Sequence, residues 1–213
     1  MSDTTEFGGL LRDLIALGNE SGDGALEKAH HALSERFDIA RLGHAYCAEL
    51  PPARRDELLC MSTERSTHYK WCMASSGHRR ARVWLHVYKP WTSATTNFAA
   101  SIHDHRYSFV SAVLSGSLRE RRWGHAEAGR IRPGRLFERP AGSTYRIEST
   151  EIHSIEKVCD GTVTLVLQMA ATKVYSSVYD PHTLRIKQRI GDLEEAFGRM
   201  VDRVREGVSR PEL

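Results

Sequence analysis

Between residues 82 and 169 the chain changes its hydrophobic rhythm, and this limits the possible folds more than any other feature. β-Branched and aromatic residues gather in short runs at 82–88, 107–114, 117–123, 135–139, 144–147, 153–157 and 162–169. The first of them reads Arg82-Val83-Trp84-Leu85-His86-Val87-Tyr88. Glycine and proline punctuate the runs at Ser115-Gly116, Gly129, Pro133-Gly134, Pro140-Ala141-Gly142 and Asp160-Gly161. Many short strands separated by turn signals predict a β-sandwich or a small barrel.

The flanks follow a different period. Phe7, Leu10, Leu11, Leu14, Ile15 and Leu17 recur at helical spacing. The cluster Gly18-Asn19-Glu20-Ser21-Gly22-Asp23-Gly24 breaks that helix, and Leu26, Ala29, Ala32 and Leu33 resume the pattern over 25–37. After Pro51-Pro52 another short helix is expected over 53–61. Beyond Asp180-Pro181, Leu193, Phe197, Met200, Val201 and Val204 lie on one face of a terminal helix. The organisation expected is a helical cap over 1–66, a β-barrel over 67–180 and a C-terminal helix over 181–213 packed on the same domain.

Composition narrows the function classes. The chain has 213 residues, enough to bury a core without staples. Its 30 basic and 27 acidic residues leave a net charge of +3, too balanced to argue for nucleic acid. The arginine runs at 79–82 and 119–122 are therefore read as solvated strand ends and turns. No stretch approaches a membrane span, and the first twenty residues lack the layout of a secretory signal. Cys47, Cys60, Cys72 and Cys159 form no C-x-x-C pair. Free thiols in a reducing cytoplasm are expected, in a monomer or homodimer that acts on a small molecule.

The chemistry concentrates at Ser101-Ile102-His103-Asp104-His105. Alternate residues of a strand share a face, so H-x-H sets two imidazoles side by side. A third must come from a crossing strand, and His153 heads the run at 153–157. Three imidazoles leave coordination positions open, as a catalytic metal needs. They suit iron, zinc, copper and nickel alike.

Further residues carry a resemblance. Gly116 follows the next strand, and Gly134-Arg135-Leu136-Phe137-Glu138-Arg139-Pro140-Ala141-Gly142 gives G-x5-P-x-G. Both features resemble the two motifs of the cupin superfamily. Ser101-Ile102-His103-Asp104-His105 with Ser108-Phe109 and Leu114-Ser115-Gly116-Ser117-Leu118-Arg119-Glu120 is similar to the first motif of the cysteine dioxygenase family. Tyr145-Arg146-Ile147, Ile152-His153-Ser154-Ile155-Glu156 and Val163-Thr164-Leu165 resemble its second. The resemblance covers residues 69–170. It implies a mainly β cupin fold, a double-stranded β-helix or jelly-roll barrel. It also implies one Fe(II) per chain held by His103, His105 and His153, with dioxygen as co-substrate and a thiol oxidised to a sulfinate.

The substrate shell departs from that family. In the cysteine-specific enzymes an arginine two residues after a tyrosine grips the substrate carboxylate. Tyr69-Lys70-Trp71 is the counterpart here, with tryptophan in that place. The cross-linking cysteine and tyrosine are replaced by Val110 and Gln168, and a relay histidine by Val166. Tyr69 and Gln168 are the candidate catalytic residues, and Trp71, Arg106 and His86 the candidate substrate-binding ones. Arg106 reads otherwise as a rim ion pair and His86 as a satisfied core histidine. Either Lys70 or Arg106 takes over the carboxylate, or free cysteine is not the substrate; the second reading is preferred. The expected function is an iron cupin oxygenase of altered substrate shell, using dioxygen on a small thiol or amino-acid-like substrate; a different, biosynthetic oxidation at the same iron fits equally well. The alternatives are a metal- or ligand-sensing cupin and, more weakly, a redox-neutral isomerase.

Overall fold

The structure is a computed structural model and describes residues 3–20, 24–35, 38–65, 67–77, 80–90, 101–125, 130–180 and 186–189. Four helices lead: α1 Asp3–Asn19, α2 Ala25–Ser34, α3 Ile39–Glu49 and α4 Pro52–Cys60. Pro52 opens α4 at a position where a missing N–H costs nothing. The helix expected over 25–37 stops at Ser34, and α3 starts separately at Ile39.

The strands are β1 Thr63–Glu64, β2 His68–Ser75, β3 Arg82–Tyr88, β4 Ile102–His103, β5 Phe109–Ser115 and β6 Ser117–His125. After them come β7 Ile131–Pro140, β8 Thr144–Ile147, β9 Ile152–Val158, β10 Val163–Gln168, β11 Ser176–Tyr179 and β12 Ile186–Arg189. They build two six-stranded sheets, in the orders β1-β2-β3-β10-β5-β8 and β12-β11-β4-β9-β6-β7. Within these, β3-β10-β5-β8 faces β4-β9-β6-β7, and the chain crosses between them as a double-stranded β-helix. That arrangement is a jelly roll. The seven runs read from the sequence coincide with β3 and β5 to β10.

Strand alternation divides the first sheet into two faces. Val83, Val110, Ala112, Leu165 and Leu167 meet Phe7, Leu10, Leu11, Leu14, Ala29, Leu33 and Leu42 in one core, so the N-terminal helices cover the sheet's outer face. Trp84, Phe109, Val113, Tyr145, Ile147 and Val166 form the inner face. Leu118, Ile155 and Val158 of the second sheet close on Tyr88 of the first. Helical period on one side and strand alternation on the other thus produce one barrel with a cap.

The C-terminal expectation changes. Ile186–Arg189 is a strand where helix was expected, because it finds backbone partners in β11: Tyr179 opposes Ile186 and Ser176 opposes Arg189. Such pairing is invisible to local periodicity. The proposed terminal-helix residues Leu193 to Val204 lie outside the described residues.

Candidate metal centre

Register alone brings two of the histidines together. His103 of β4 sits directly opposite His153 of β9, and such cross-strand neighbours hold their Cβ atoms roughly 5 Å apart. His105 comes after β4 has ended, so strand alternation does not orient it. Asp104 does. Its N–H donates to Ser177 O at 3.0 Å. Its carboxylate accepts Ser177 N–H at 2.7 Å and Tyr179 O–H at 3.2 Å and pairs with Lys173 at 3.1 Å. The H-D-H segment is therefore clamped to β11, a strand the sequence did not announce.

The three rings converge through one nitrogen each. Nε2 of His105 lies 3.2 Å from Nε2 of His103 and 2.8 Å from Nε2 of His153. The three residues form the group of histidines able to hold a metal ion among the described residues. Their outer nitrogens fit that role. His103 Nδ1 donates to Ser101 O at 2.9 Å, and His153 Nδ1 faces Glu120 Oε1 at 3.3 Å. With the proton on Nδ1, each presents an Nε2 lone pair to the same point. Neighbouring lone pairs at such separations repel, and a cation between them removes the repulsion.

Two environments flank the group. Phe109 stands edge-on to His105 at 5.0 Å and Tyr107 lies 5.4 Å from it, an apolar, water-excluding side. Behind His153 lies charge. Glu120 is fully buried, with Arg122 at 2.5 Å and Arg139 at 3.1 Å. Burial would raise its pKa, but His153, Arg122 and Arg139 outweigh burial and take it down to about 2. Glu120 and Asp104 were not singled out in the sequence. The available signal for Glu120 was alternation: Leu118 and Glu120 must share a face of β6.

The expected shell residues divide. On β2, His68 packs on His86 at 4.6 Å and Lys70 Nζ lies 4.1 Å from the Trp84 ring, so both face inward. Tyr69 and Trp71 therefore face the other way; they are 38% and 36% exposed and stack on each other. This corrects the placement of Tyr69 and Trp71 beside the three histidines, because a strand sends adjacent residues to opposite faces. Gln168 is buried on the inner face, and its Oε1 accepts Trp84 Nε1–H at 3.0 Å. His86 is inward but not part of the group; its Nε2 is shut from solvent without a hydrogen-bond partner. Arg106 donates to Val174 O at 3.4 Å, while its own carbonyl accepts from Thr172 and Lys173. Lys70 faces inward: after burial and the neighbouring imidazoles, its charge lowers the pKa of His105 and His86, as that of Lys173 does for His105.

These histidines give the fold a pH dependence of definite sign. Burial first, then the charges of Lys70, Arg65 and Lys89, lower His68 to about 4. Burial likewise holds His86 and His105 well below 6.5. Below the ordinary histidine value the unfolded chain binds protons that the folded chain refuses. This stability is complete above pH 6.5 and is lost progressively as the pH falls toward 4. Urea midpoints of the metal-free protein should fall steadily between pH 7 and pH 5. A flat profile there would show that the three rings are protonated without unfolding.

The arginine run at 119–122 is ion-paired: Arg119 with Glu138, Arg121 with Glu156, Arg122 with Glu120 and Glu151. Cys47, Cys60, Cys72 and Cys159 are free. Among the described residues no helix is long and apolar enough to cross a membrane.

The sequence matches no protein-family model and no curated protein. Solved structures similar to it include the oxalate decarboxylase of Bacillus subtilis at pH 4.6, with 16% identity over 52% of this chain and 27% of that chain and a TM-score of 0.37. Another is the Lactobacillus farciminis oxalate decarboxylase formate complex, with 15% identity over 51% of this chain and 30% of that chain and a TM-score of 0.35. This chain thus spans less than a third of the length of those proteins.

Proposed function

We propose that the chain is a mononuclear iron(II) oxygenase acting with dioxygen on a small thiol or amino-acid-like compound. The observation that carries this reading is the ligand set. Among the described residues, three imidazoles and no carboxylate converge at one point beside Phe109 in a jelly-roll barrel. A ferrous ion held by His103, His105 and His153 would bring Lewis acidity toward a thiolate and an electron source for dioxygen. Phe109, Tyr107 and Trp84 keep the surroundings poor in water, which strengthens every charge interaction within. Trp84 fixes the Gln168 amide by taking its oxygen, so the amide N–H2 is the end available to a substrate.

The direction of Lys70 changes the reading of the substrate. Trp71, facing outward, leaves no gap in the cavity to explain, and Lys70 is an inward cation over Trp84 whose charge acts on His105 and His86. A carboxylate on the substrate therefore has a partner. Charge-assisted hydrogen bonds contribute about 1.5–3 kcal/mol, and tenfold in affinity is about 1.4 kcal/mol. Lys70→Met should accordingly raise KM for a carboxylated thiol by roughly one to two decades. The same thiol without its carboxylate should be little affected. Equal losses on both substrates would remove Lys70 from substrate binding.

The reading as a whole is tested by loading the protein anaerobically with ferrous iron, then screening small thiols and amino acids for oxygen consumption and product mass. Oxygen uptake with a product heavier by whole oxygen atoms supports the oxygenase. A protein that binds iron but consumes no oxygen with any compound is a metal- or ligand-sensing cupin instead. One that binds no metal overturns the metal centre itself.

A further inference from the structure

We infer that Glu120 is the positioning residue of the centre, holding the Nδ1 edge of His153 so that Nε2 is fixed toward the point shared with His103 and His105. The inference rests on the three-histidine reading and goes beyond it to a residue outside the ligand set.

The argument begins with β6. Leu118 and Glu120 both point into the barrel, and each is at most 1% exposed. A carboxylate in that place costs several kcal/mol in desolvation unless it is paired. Two guanidiniums pair it. Arg122 Nε donates to Oε1 at 2.5 Å, and Arg139 donates to Oε2 through Nε at 3.2 Å and Nη2 at 3.1 Å. Arg122 is itself tied to Glu151 and to Arg146 O. Two carboxylates thus face two guanidiniums, and the assembly is electrically balanced.

A carboxylate needed only to balance the arginines could have stood nearer the surface, where Glu151 already does so. Instead Oε1 lies 3.3 Å from His153 Nδ1. Of the two arginines, the one bound to that same oxygen approaches along the strand, and the other holds the far oxygen. The carboxylate is therefore gripped at both ends and cannot rotate away from the imidazole. His103 is oriented by a backbone carbonyl, and His105 follows from the clamp on Asp104. His153 sits inside a regular strand with no such local device, and Glu120 supplies one from the neighbouring strand. The register confirms the reach: Glu120 opposes Ile155, two residues from His153 and on the same face.

The test separates hydrogen bonding from charge. Glu120→Gln/Arg139→Met and Glu120→Leu/Arg139→Met remove one anion and one cation alike, and they differ only in whether an acceptor faces His153. Both are compared with wild type for Zn(II) affinity by chelator competition and for the Co(II) visible spectrum, after thermal unfolding has established the folded fraction. The glutamine pair should bind Zn(II) within about threefold of wild type with an unchanged Co(II) spectrum, and the leucine pair should bind 10–100-fold more weakly with a shifted spectrum. Equal affinities for the two pairs, whether tight or weak, overturn the assignment, since the acceptor would then make no difference. If wild type itself binds neither metal, the failure lies with the three-histidine reading. If the leucine pair does not fold, Glu120→Gln/Arg139→Met against Glu120→Met/Arg139→Met repeats the comparison with a flexible, acceptor-poor side chain.

Discussion

Replacing His153 by alanine should take the metal content from about one equivalent per chain to almost none. Three protein ligands would make one site, and His153 is the residue that links the other two, opposite His103 in register and 2.8 Å from His105 through Nε2. Its loss leaves an H-x-H pair that no longer encloses a point. It also leaves Glu120 beside a cavity with its arginines intact, so the folded fraction of the variant is established first by thermal unfolding. His103→Ala and His105→Ala should have the same consequence. The measurement is metal analysis after anaerobic loading and desalting, with exposed His125→Ala as the variant that keeps its full equivalent. If His153→Ala retained its metal, the centre would have to be sought elsewhere.

The second large effect concerns stability. Gly116 turns the chain between β5 and β6 with φ +69°. A Cβ there would come within 2.4 Å of Thr162 Oγ1 and 2.7 Å of Thr162 Cα. Thr162 cannot yield: it is fully buried, accepts Ser117 N–H at 3.1 Å and lies 2.7 Å from Cys159 O. A left-handed residue with a side chain costs about 1–2 kcal/mol, and forced overpacking about 1–3 kcal/mol more. Gly116→Ala should therefore destabilise the fold by about 2–5 kcal/mol, lowering Tm by roughly 4–20 °C. Gly142 gives the contrast, since its φ is +83° but nothing lies within 4 Å of its would-be Cβ. Gly142→Ala should show only the backbone part, about 1–2 kcal/mol. Thermal unfolding of both variants decides; equal losses would mean that the contact with Thr162 is not what requires glycine at 116.

The barrel could be read from the chain because its strands announce themselves twice, by composition and by the glycines and prolines between them. β8 is a case where both signals meet, and its bounds coincide with the expected run. β11 and β12 escaped because their stability comes from partners far away in sequence. Ser176-Ser177-Val178-Tyr179 has too little apolar alternation to signal a strand. The same division holds at the site. The three histidines were legible from H-x-H spacing and from the resemblance around His153. Glu120 was not, because a glutamate among arginines looks like a solvated face until the strand's inward side is known. Trp71 and Lys70 show the reverse error. They are neighbours on β2, and on a strand one residue is the difference between cavity and exterior.

Asp104 ties these threads to the periphery. It sits between His103 and His105, yet its hydrogen bonds go to Ser177 and Tyr179 of β11, which in turn carries the edge strand β12. Whatever fixes the two imidazoles also fixes the anchor of that hairpin. Binding to the folded state is linked to every equilibrium that the same residues govern, so occupancy at the centre must suppress local opening of the hairpin. The backbone amides of Asp104 and Ser177, each engaged across that junction, become natural reporters. Their exchange with solvent deuterium should slow on loading, with no new contact made by the hairpin itself. An outer edge of the sheet then registers the state of a centre it does not touch.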